Sequence, residues 1–185
     1  MPPAFSLRLA TEDDIPDLHA LIEASVRSLQ TGDYTPAQIE GAIGTVLGLD
    51  TQLIRDRTYF VATALVQNTQ ARSAGCGGWS KRQTLFGADR GPGRIPDLLD
   101  PATDAAKIRA IFVHPAYARQ GLGSLLLARV ESEAMQAGFR RFEMGSTLTG
   151  FPLYTRKGYI EIERIAVPLH NGEALPVVRM VKSLD

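Results

Sequence analysis

The apolar positions of this chain change rhythm as it proceeds, and each change predicts a different element. Phe5, Leu7 and Leu9 alternate with Ser6 and Arg8, the pattern of an edge or outer strand. Thr11 to Asp14 form a Thr-x-x-Asp cap that opens a helix with Ile15, Leu18, Ile22, Val26 and Leu29 on one side, and Gly32 ends it. Tyr34-Thr35-Pro36 starts a second helix with Ile39, Ile43, Val46 and Leu47 inward. Thr58 to Val66 reads as a strong strand, Asn68 to Ser73 as a polar hairpin connection, and Gly75 to Ser80 as the return strand. Three glycines in that return strand predict a bulge or a close approach by another backbone or a ligand.

The most informative stretch runs from Ile108 to Gly138. Ile108, Ala110, Ile111, Phe112 and Val113 make a nearly continuous apolar run, as in a strand covered on both faces, and Pro115 stops it. Leu122, Leu125, Leu126, Val130, Ala134 and Ala137 then fall on one side of a helix, with Arg129, Glu131, Glu133 and Gln136 mostly opposite and Gly138 as its stop. Between strand and helix lies Tyr117-Ala118-Arg119-Gln120-Gly121-Leu122-Gly123-Ser124. Two glycines, the unpaired N–H groups of a first helical turn and the charge of Arg119 suit an anion such as a pyrophosphate, although a lone Gly-x-Gly also makes an ordinary tight turn. A dinucleotide fingerprint would require a small residue where Leu126 stands, and Gly-Lys-Ser/Thr occurs nowhere, so simple NAD and ATP loops are set aside.

Farther on, Arg140 to Ser146 is predicted to be a strand with Phe142 and Met144 on one face and Glu143 on the other. Gly150 to Lys157 reads as a short helix or turn carrying Tyr154. Tyr159–Val167 and Leu175–Val181 form a closing hairpin around the turn signal Asn171-Gly172. Residues 82–105, rich in Gly, Pro, Asp and Arg, read either as a flap beside a cleft, with Leu85-Phe86 or Leu98-Leu99 tucked back, or as a surface excursion.

Two of these stretches carry a resemblance. VHPAYARQGLGSLLL is similar to the acyl-CoA pyrophosphate loop of the GNAT superfamily of N-acyltransferases, Arg/Gln-x-x-Gly-x-Gly/Ala after a central strand, laid onto Ala118 to Gly123 with Ala118 replacing the usual cation or amide. Thr147 to Tyr159 resembles the family's Asn-x-x-Ala-x-x-Phe-Tyr-x-x-x-Gly-Phe segment, matching at Tyr154 and Gly158-Tyr159, with Thr147 in place of Asn and Gly150 in place of Ala. The resemblance covers the second half well and the first half by its layout. It implies an α/β fold with a mixed, mostly antiparallel central sheet, a splayed parallel strand pair and flanking helices, in a single domain over residues 1–185. It further implies acetyl-CoA as co-substrate, with backbone near Phe112 and Val113 pairing with the pantetheine arm. Arg119, Gln120, Gly121, Leu122, Gly123 and Ser124 would hold the pyrophosphate, Thr147 would lie at the cofactor, and Tyr154 would act as general acid toward the CoA thiolate.

The acceptor implied is a primary amine of a small molecule or peptide. A non-catalytic acyl-CoA-binding or regulatory module is the alternative. Asp33 and Tyr34 stand either at the acceptor or as a helix cap and a packing aromatic, and Trp79 either lines the acceptor pocket or half-buries in the sheet. The base is open among Glu143, His114, Asp33, Tyr34 and a water chain.

Composition narrows the remainder. An apolar share of 44% supports a sizeable core, and twenty cationic against twenty anionic side chains leave no concentrated positive face for nucleic acid. One cysteine excludes an internal disulfide and suits a reducing compartment, and Cys76 lacks an adjacent base to make it a nucleophile. Three scattered histidines show no metal-ligand spacing. No signal-peptide pattern or membrane-length apolar run stands out, so the expectation is a cytoplasmic protein without membrane partners. A homodimer is compatible with the family and required by nothing in the sequence.

Overall fold

The computed structural model describes residues 4–66 and 69–184. Its strands are β1 Phe5–Leu9, β2 Tyr59–Val66, β3 Thr69–Ser80, β4 Ala106–Val113, β5 Arg141–Thr147, β6 Ile160–Pro168 and β7 Ala174–Ser183. Its helices are α1 Ile15–Leu29, α2 Pro36–Ala42, α3 Thr51–Arg55, α4 Leu122–Gln136 and α5 Phe151–Arg156. The seven strands form one sheet in the order β1-β2-β3-β4-β5-β7-β6. Every neighbouring pair is antiparallel except β4 and β5. The mixed, mostly antiparallel sheet with one parallel pair is therefore as the resemblance implied.

Each face of the sheet is covered because successive side chains point to opposite sides. Leu18, Leu21, Ile22 and Val26 of α1 pack with Tyr59, Val61, Cys76 and Phe112 on one face. On the other, Leu127, Val130 and Ala134 of α4 meet Phe60, Ile108 and Phe142, while Leu122 and Leu126 sit on Ala62, Ala64 and Ala74. Leu125, expected inward, is 43% exposed, and Leu127 takes its place in the core. Trp79 lies on the α4 face, edge-on to Phe139 at 5.7 Å, so it packs in the sheet.

Three local differences have plain causes. The second helix ends at Ala42 because Ile43 turns extended and Gly44 adopts φ +78°, yet Val46 and Leu47 still enter the core. Helix α3 was not anticipated; its signal was Asp50, whose carboxylate caps the Gln52 amide at 3.1 Å. Strand β3 begins at Thr69, so most of the stretch read as a hairpin connection is strand, and its first residue, Asn68, lies outside the described residues.

Residues 82–105 are fastened to the body. The Gln83 amide donates to the Asp97 carbonyl at 3.0 Å and Leu99 to Lys81 at 2.8 Å, Arg82 pairs with Asp56 at 2.7 Å, and Thr84 bonds Ile95. Phe86 and Leu99 tuck back, whereas Leu98 is 62% exposed. The strongest tie is buried. Arg109, 2% exposed on β4, donates to the carbonyls of Thr84 at 2.9 Å and Gly87 at 2.6 Å and to Asp50 Oδ2 at 3.0 Å. Arg94 reaches Asp50 Oδ1 at 3.1 Å. One carboxylate thus holds a strand cation, a flap cation and a helix N-terminus.

A buried guanidinium without its carboxylate is costly because neither water nor another anion replaces it. Asp50→Ala is expected to lower the urea unfolding free energy by about 3–5 kcal/mol, and Asp50→Leu/Arg109→Met to recover most of that. A single-variant loss below about 1 kcal/mol would show that Arg109 does not depend on this carboxylate.

Candidate active-site cleft

The cleft begins where two parallel strands stop pairing. β4 and β5 are in register only at Ala106 with Phe142 and Lys107 with Glu143. Beyond that point β5 continues beside β7 to Thr147, and β4 continues beside β3 to Val113, so the β5-facing edge of β4 is left without a strand. A bulge sits in β4 at the same level. Between Cys76 and Gly78 the β3 register advances two residues while β4 advances three, and Ala110 takes φ +51°. Gly77 is the residue facing this bulge; a Cβ there would lie 2.7 Å from Ile111 Cγ1. The Ala110 carbonyl accepts from the Tyr59 hydroxyl at 2.8 Å, which fixes the bulged peptide.

The opening is a cleft between the two strands, bordered by helix and flap residues. Its floor and sides come from Ile108 to Phe112 and from Met144 to Thr147. Tyr154 stands in its wall, Gln30, Val46 and Leu47 close the helical side, and Leu85 and Phe86 of the flap cover it. Phe86 lies over Gly145, where a Cβ would meet its ring at 2.9 Å. Burial raises the Tyr154 hydroxyl above the ordinary tyrosine value, so the phenol stays protonated throughout the physiological range.

The turn after β4 is built for exposed amides. His114 ends the strand, its Nδ1 accepting from the Ala116 amide at 3.2 Å, and Pro115–Tyr117 make a single 3-10 turn. Arg119 has φ +63° and Gly121 φ +81°, so two of three successive residues are left-handed just before α4. No side chain caps α4, and Leu125 is the residue whose amide returns to Gly121, at 3.0 Å. The first-turn amides of Leu122, Gly123 and Ser124 therefore point out of the helix beside the exposed Arg119 and Gln120. The Leu122 side chain is buried, and Gly123 is kept small by Leu153 of α5, whose Cδ2 would be 3.2 Å from a Cβ. Gln120 folds back to the Ala116 carbonyl at 3.2 Å.

The structure separates the other sequence candidates. Phe112 and Thr147 line the cleft; the Thr147 hydroxyl accepts from the Gly150 amide at 3.0 Å and keeps its own proton to give. Val113 continues the unpaired edge toward the turn. Glu143 lies away from the cleft, ion-paired with Lys107 and Arg179, which hold its carboxyl below the usual range against the cost of burial. His114 is used in its own turn. Asp33 accepts from Thr149 Oγ1 at 2.7 Å, and the Tyr34 hydroxyl donates to the Pro176 carbonyl at 2.7 Å and accepts from the Leu148 amide at 2.8 Å, so this pair clamps the loop after β5. Burial pushes the Cys76 thiol up to about 12, which leaves no thiolate nucleophile. Gln30 and Arg109 were missed from the sequence. Arg109 had a signal, a cation inside an apolar run; Gln30, a polar residue near a helix end, had none.

A family model described as an acetyltransferase (GNAT) domain matches residues 80–184, the span that contains the parting strands, the turn and α5. The chain belongs to the GNAT family. No curated protein matches it. Solved structures share the GNAT fold. One is a GCN5-related N-acetyltransferase from Rhodopseudomonas palustris, with TM-score 0.68 and 21% identity over 100% of this chain and 97% of that one. A second is the PaiA N-acetyltransferase of Thermoplasma acidophilum in complex with coenzyme A, with TM-score 0.62 and 13% identity over 97% and 99%. A third is the ribosomal-protein-S18-alanine N-acetyltransferase of Escherichia coli, with TM-score 0.59 and 15% identity over 98% and 95%. Among the described residues of this GNAT chain no helix is long and apolar enough to cross a membrane, and no cluster of three or more His, Cys, Asp or Glu could hold a metal ion.

The two left-handed residues make opposite forecasts. Gly121 is exposed with open space around it, so Gly121→Val pays only for backbone and is expected to lose about 1–2 kcal/mol in urea. Arg119→Gly relieves the same strain and is expected to unfold no earlier than the wild type. An Arg119→Gly variant that melts clearly lower would mean that its guanidinium contributes a structural contact.

Proposed function

We propose that this GNAT protein transfers an acetyl group from acetyl-CoA directly to a primary amine of a small molecule or peptide, with Tyr154 as the acid toward the departing thiolate. The observation that carries this reading is the parting of β4 and β5 over a cleft that has a protonated, buried tyrosine in its wall, with a turn of free amides following β4. Acetyl-CoA, when bound, supplies an activated acyl thioester.

Each residue then has one task. The freed edge of β4 near Phe112 and Val113 offers main-chain groups to an extended amide-bearing arm, as an edge strand does. The amides of Gly121 to Ser124 and the charge of Arg119 neutralise a pyrophosphate, Gln120 borders it, and the Thr147 hydroxyl donates to a neighbouring polar atom. A main-chain N–H on the bulged edge polarises the acyl carbonyl where negative charge develops. The amine nitrogen forms the new C–N bond as the C–S bond breaks. Tyr154 gives its proton to the leaving sulfur, and the amine's surplus proton passes to water, which restores the phenol.

No carboxylate or histidine is among the residues lining the cleft. The neutral amine is therefore drawn from solution, and the pH profile is set by the amine itself. With the Tyr154 pKa raised above its ordinary value near 10, the acid form persists on the alkaline side, so no falling limb is expected up to pH 10.

Thiol release from acetyl-CoA with an amine panel tests the reading. kcat/KM is expected to rise about tenfold per pH unit between pH 6 and the pKa of the amine. Tyr154→Phe is expected to lower kcat by about a hundredfold or more while leaving the coenzyme A thermal shift intact. A Phe variant as fast as the wild type would remove Tyr154 from the chemistry. CoA binding with no turnover of any amine would favour the non-catalytic module.

A further inference from the structure

Buried polar atoms in this fold are paired almost throughout, which makes the exception informative. Gln30, 5% exposed, is the C-cap of α1; its amide donates to the Val26 carbonyl and its own carbonyl accepts from Asp33 and Tyr34. Its side-chain Oε1 is buried with no hydrogen-bond partner, the one such side-chain atom among the described residues. An orphaned buried acceptor costs free energy unless something fills the vacancy in its bonding. The same side chain lines the cleft.

The surroundings state what would fill it. A carboxamide oxygen accepts and cannot donate, so it calls for an N–H or O–H group entering the cleft. Gln30 enters from the α1 side of the cleft, while the freed edge of β4 and the Tyr154 wall make up the rest. The remaining helical and flap side is apolar: Val46, Leu47, Leu85 and Phe86. No acidic side chain lines the cleft, and its one cation, Arg109, is spent on Asp50 and on flap carbonyls.

Resting on the acetyl-transfer reading above, we infer that Gln30 Oε1 accepts a hydrogen bond from the N–H of the acceptor amine, and that the acceptor is a monoamine with an apolar flank. The bond turns the nitrogen lone pair away from the carboxamide and toward the floor of the cleft. The apolar wall receives the carbon skeleton, and a second ammonium finds no counter-charge. Polyamines and lysine-rich peptides are disfavoured by the same absence of carboxylates.

The experiment compares 2-phenylethylamine, n-hexylamine, spermidine and a lysine-containing peptide by thiol release, with wild type, Gln30→Leu and, should Leu not fold, Gln30→Met. Thermal shifts with coenzyme A are recorded for each protein. Expected are a kcat/KM for the two apolar monoamines at least tenfold above that for spermidine and the peptide, and a monoamine KM raised roughly tenfold or more in Gln30→Leu. The melting temperature of that variant should be unchanged or higher, because the orphaned acceptor is gone, with its coenzyme A shift equal to the wild type's. The inference is overturned by preference for spermidine or the peptide, by an unaltered monoamine KM in the variant, or by wild type that binds coenzyme A and acetylates none of the four. A wild type with no coenzyme A shift instead removes the acetyl-transfer reading on which it rests.

Discussion

Two parallel strands that pair for two residues and then separate are the constraint on which this structure turns. A parallel pair normally keeps its hydrogen bonds along its length, so a row of unpaired main-chain groups in the middle of a sheet must be imposed by the surroundings. Here the imposition is visible. The extra residue in β4 at Ala110 bends that strand, Tyr59 holds the bulged carbonyl, β7 keeps β5 on its own course, and Phe86 sits over Gly145. The helices on one face and α4 on the other fix the sheet tightly enough that the gap does not close.

Buried polar groups fall into two kinds around that gap. Asp50, Arg109 and Tyr34 have their partners in the chain, and they hold the flap and the loop after β5 against the body. Gln30 and Tyr154 stand in the walls of the cleft, and Gln30 Oε1 has no hydrogen-bond partner among the described residues. The first kind supplies rigidity, and the second is what the proposed reaction draws on. A site held by the first kind can present the second without reorganising, which is the condition for orienting reactants at low entropic cost.

Strand, turn and α4 were legible because their signals are local: an apolar run, a proline stop, paired glycines and helical periodicity within one stretch. The parallel partner was legible through resemblance to a known pattern, and so was the short helix that carries Tyr154. What the sequence hid depends on distance along the chain. Arg109 meets a carboxylate 59 positions away, and no local rule couples a strand cation to a helix cap. Gln30 reads as one more polar residue at a helix end until the sheet brings the cleft to it. Trp79 had two faces open to it, and the register of β3 against β4 chose the packed one. The flap looked structureless by composition because its order comes from arginines binding carbonyls and carboxylates, which leaves no periodicity to see. Glu143 pointed from the right strand but to the wrong side, since strand pairing at Lys107 and Arg179 claimed it.

The Tyr34 hydroxyl is a single oxygen shared by two distant segments, a carbonyl of β7 and the Leu148 amide after β5. Because it gives one bond and takes the other, its direction is fixed at both ends, and neither segment can slide without breaking a buried bond. It therefore acts as a datum from which the α1–α2 side of the cleft is measured. Side chains around it can be exchanged to suit a different guest while the distance between guest and reacting centre is preserved. Such a fixed point leaves the geometry of the cleft unchanged when its lining changes.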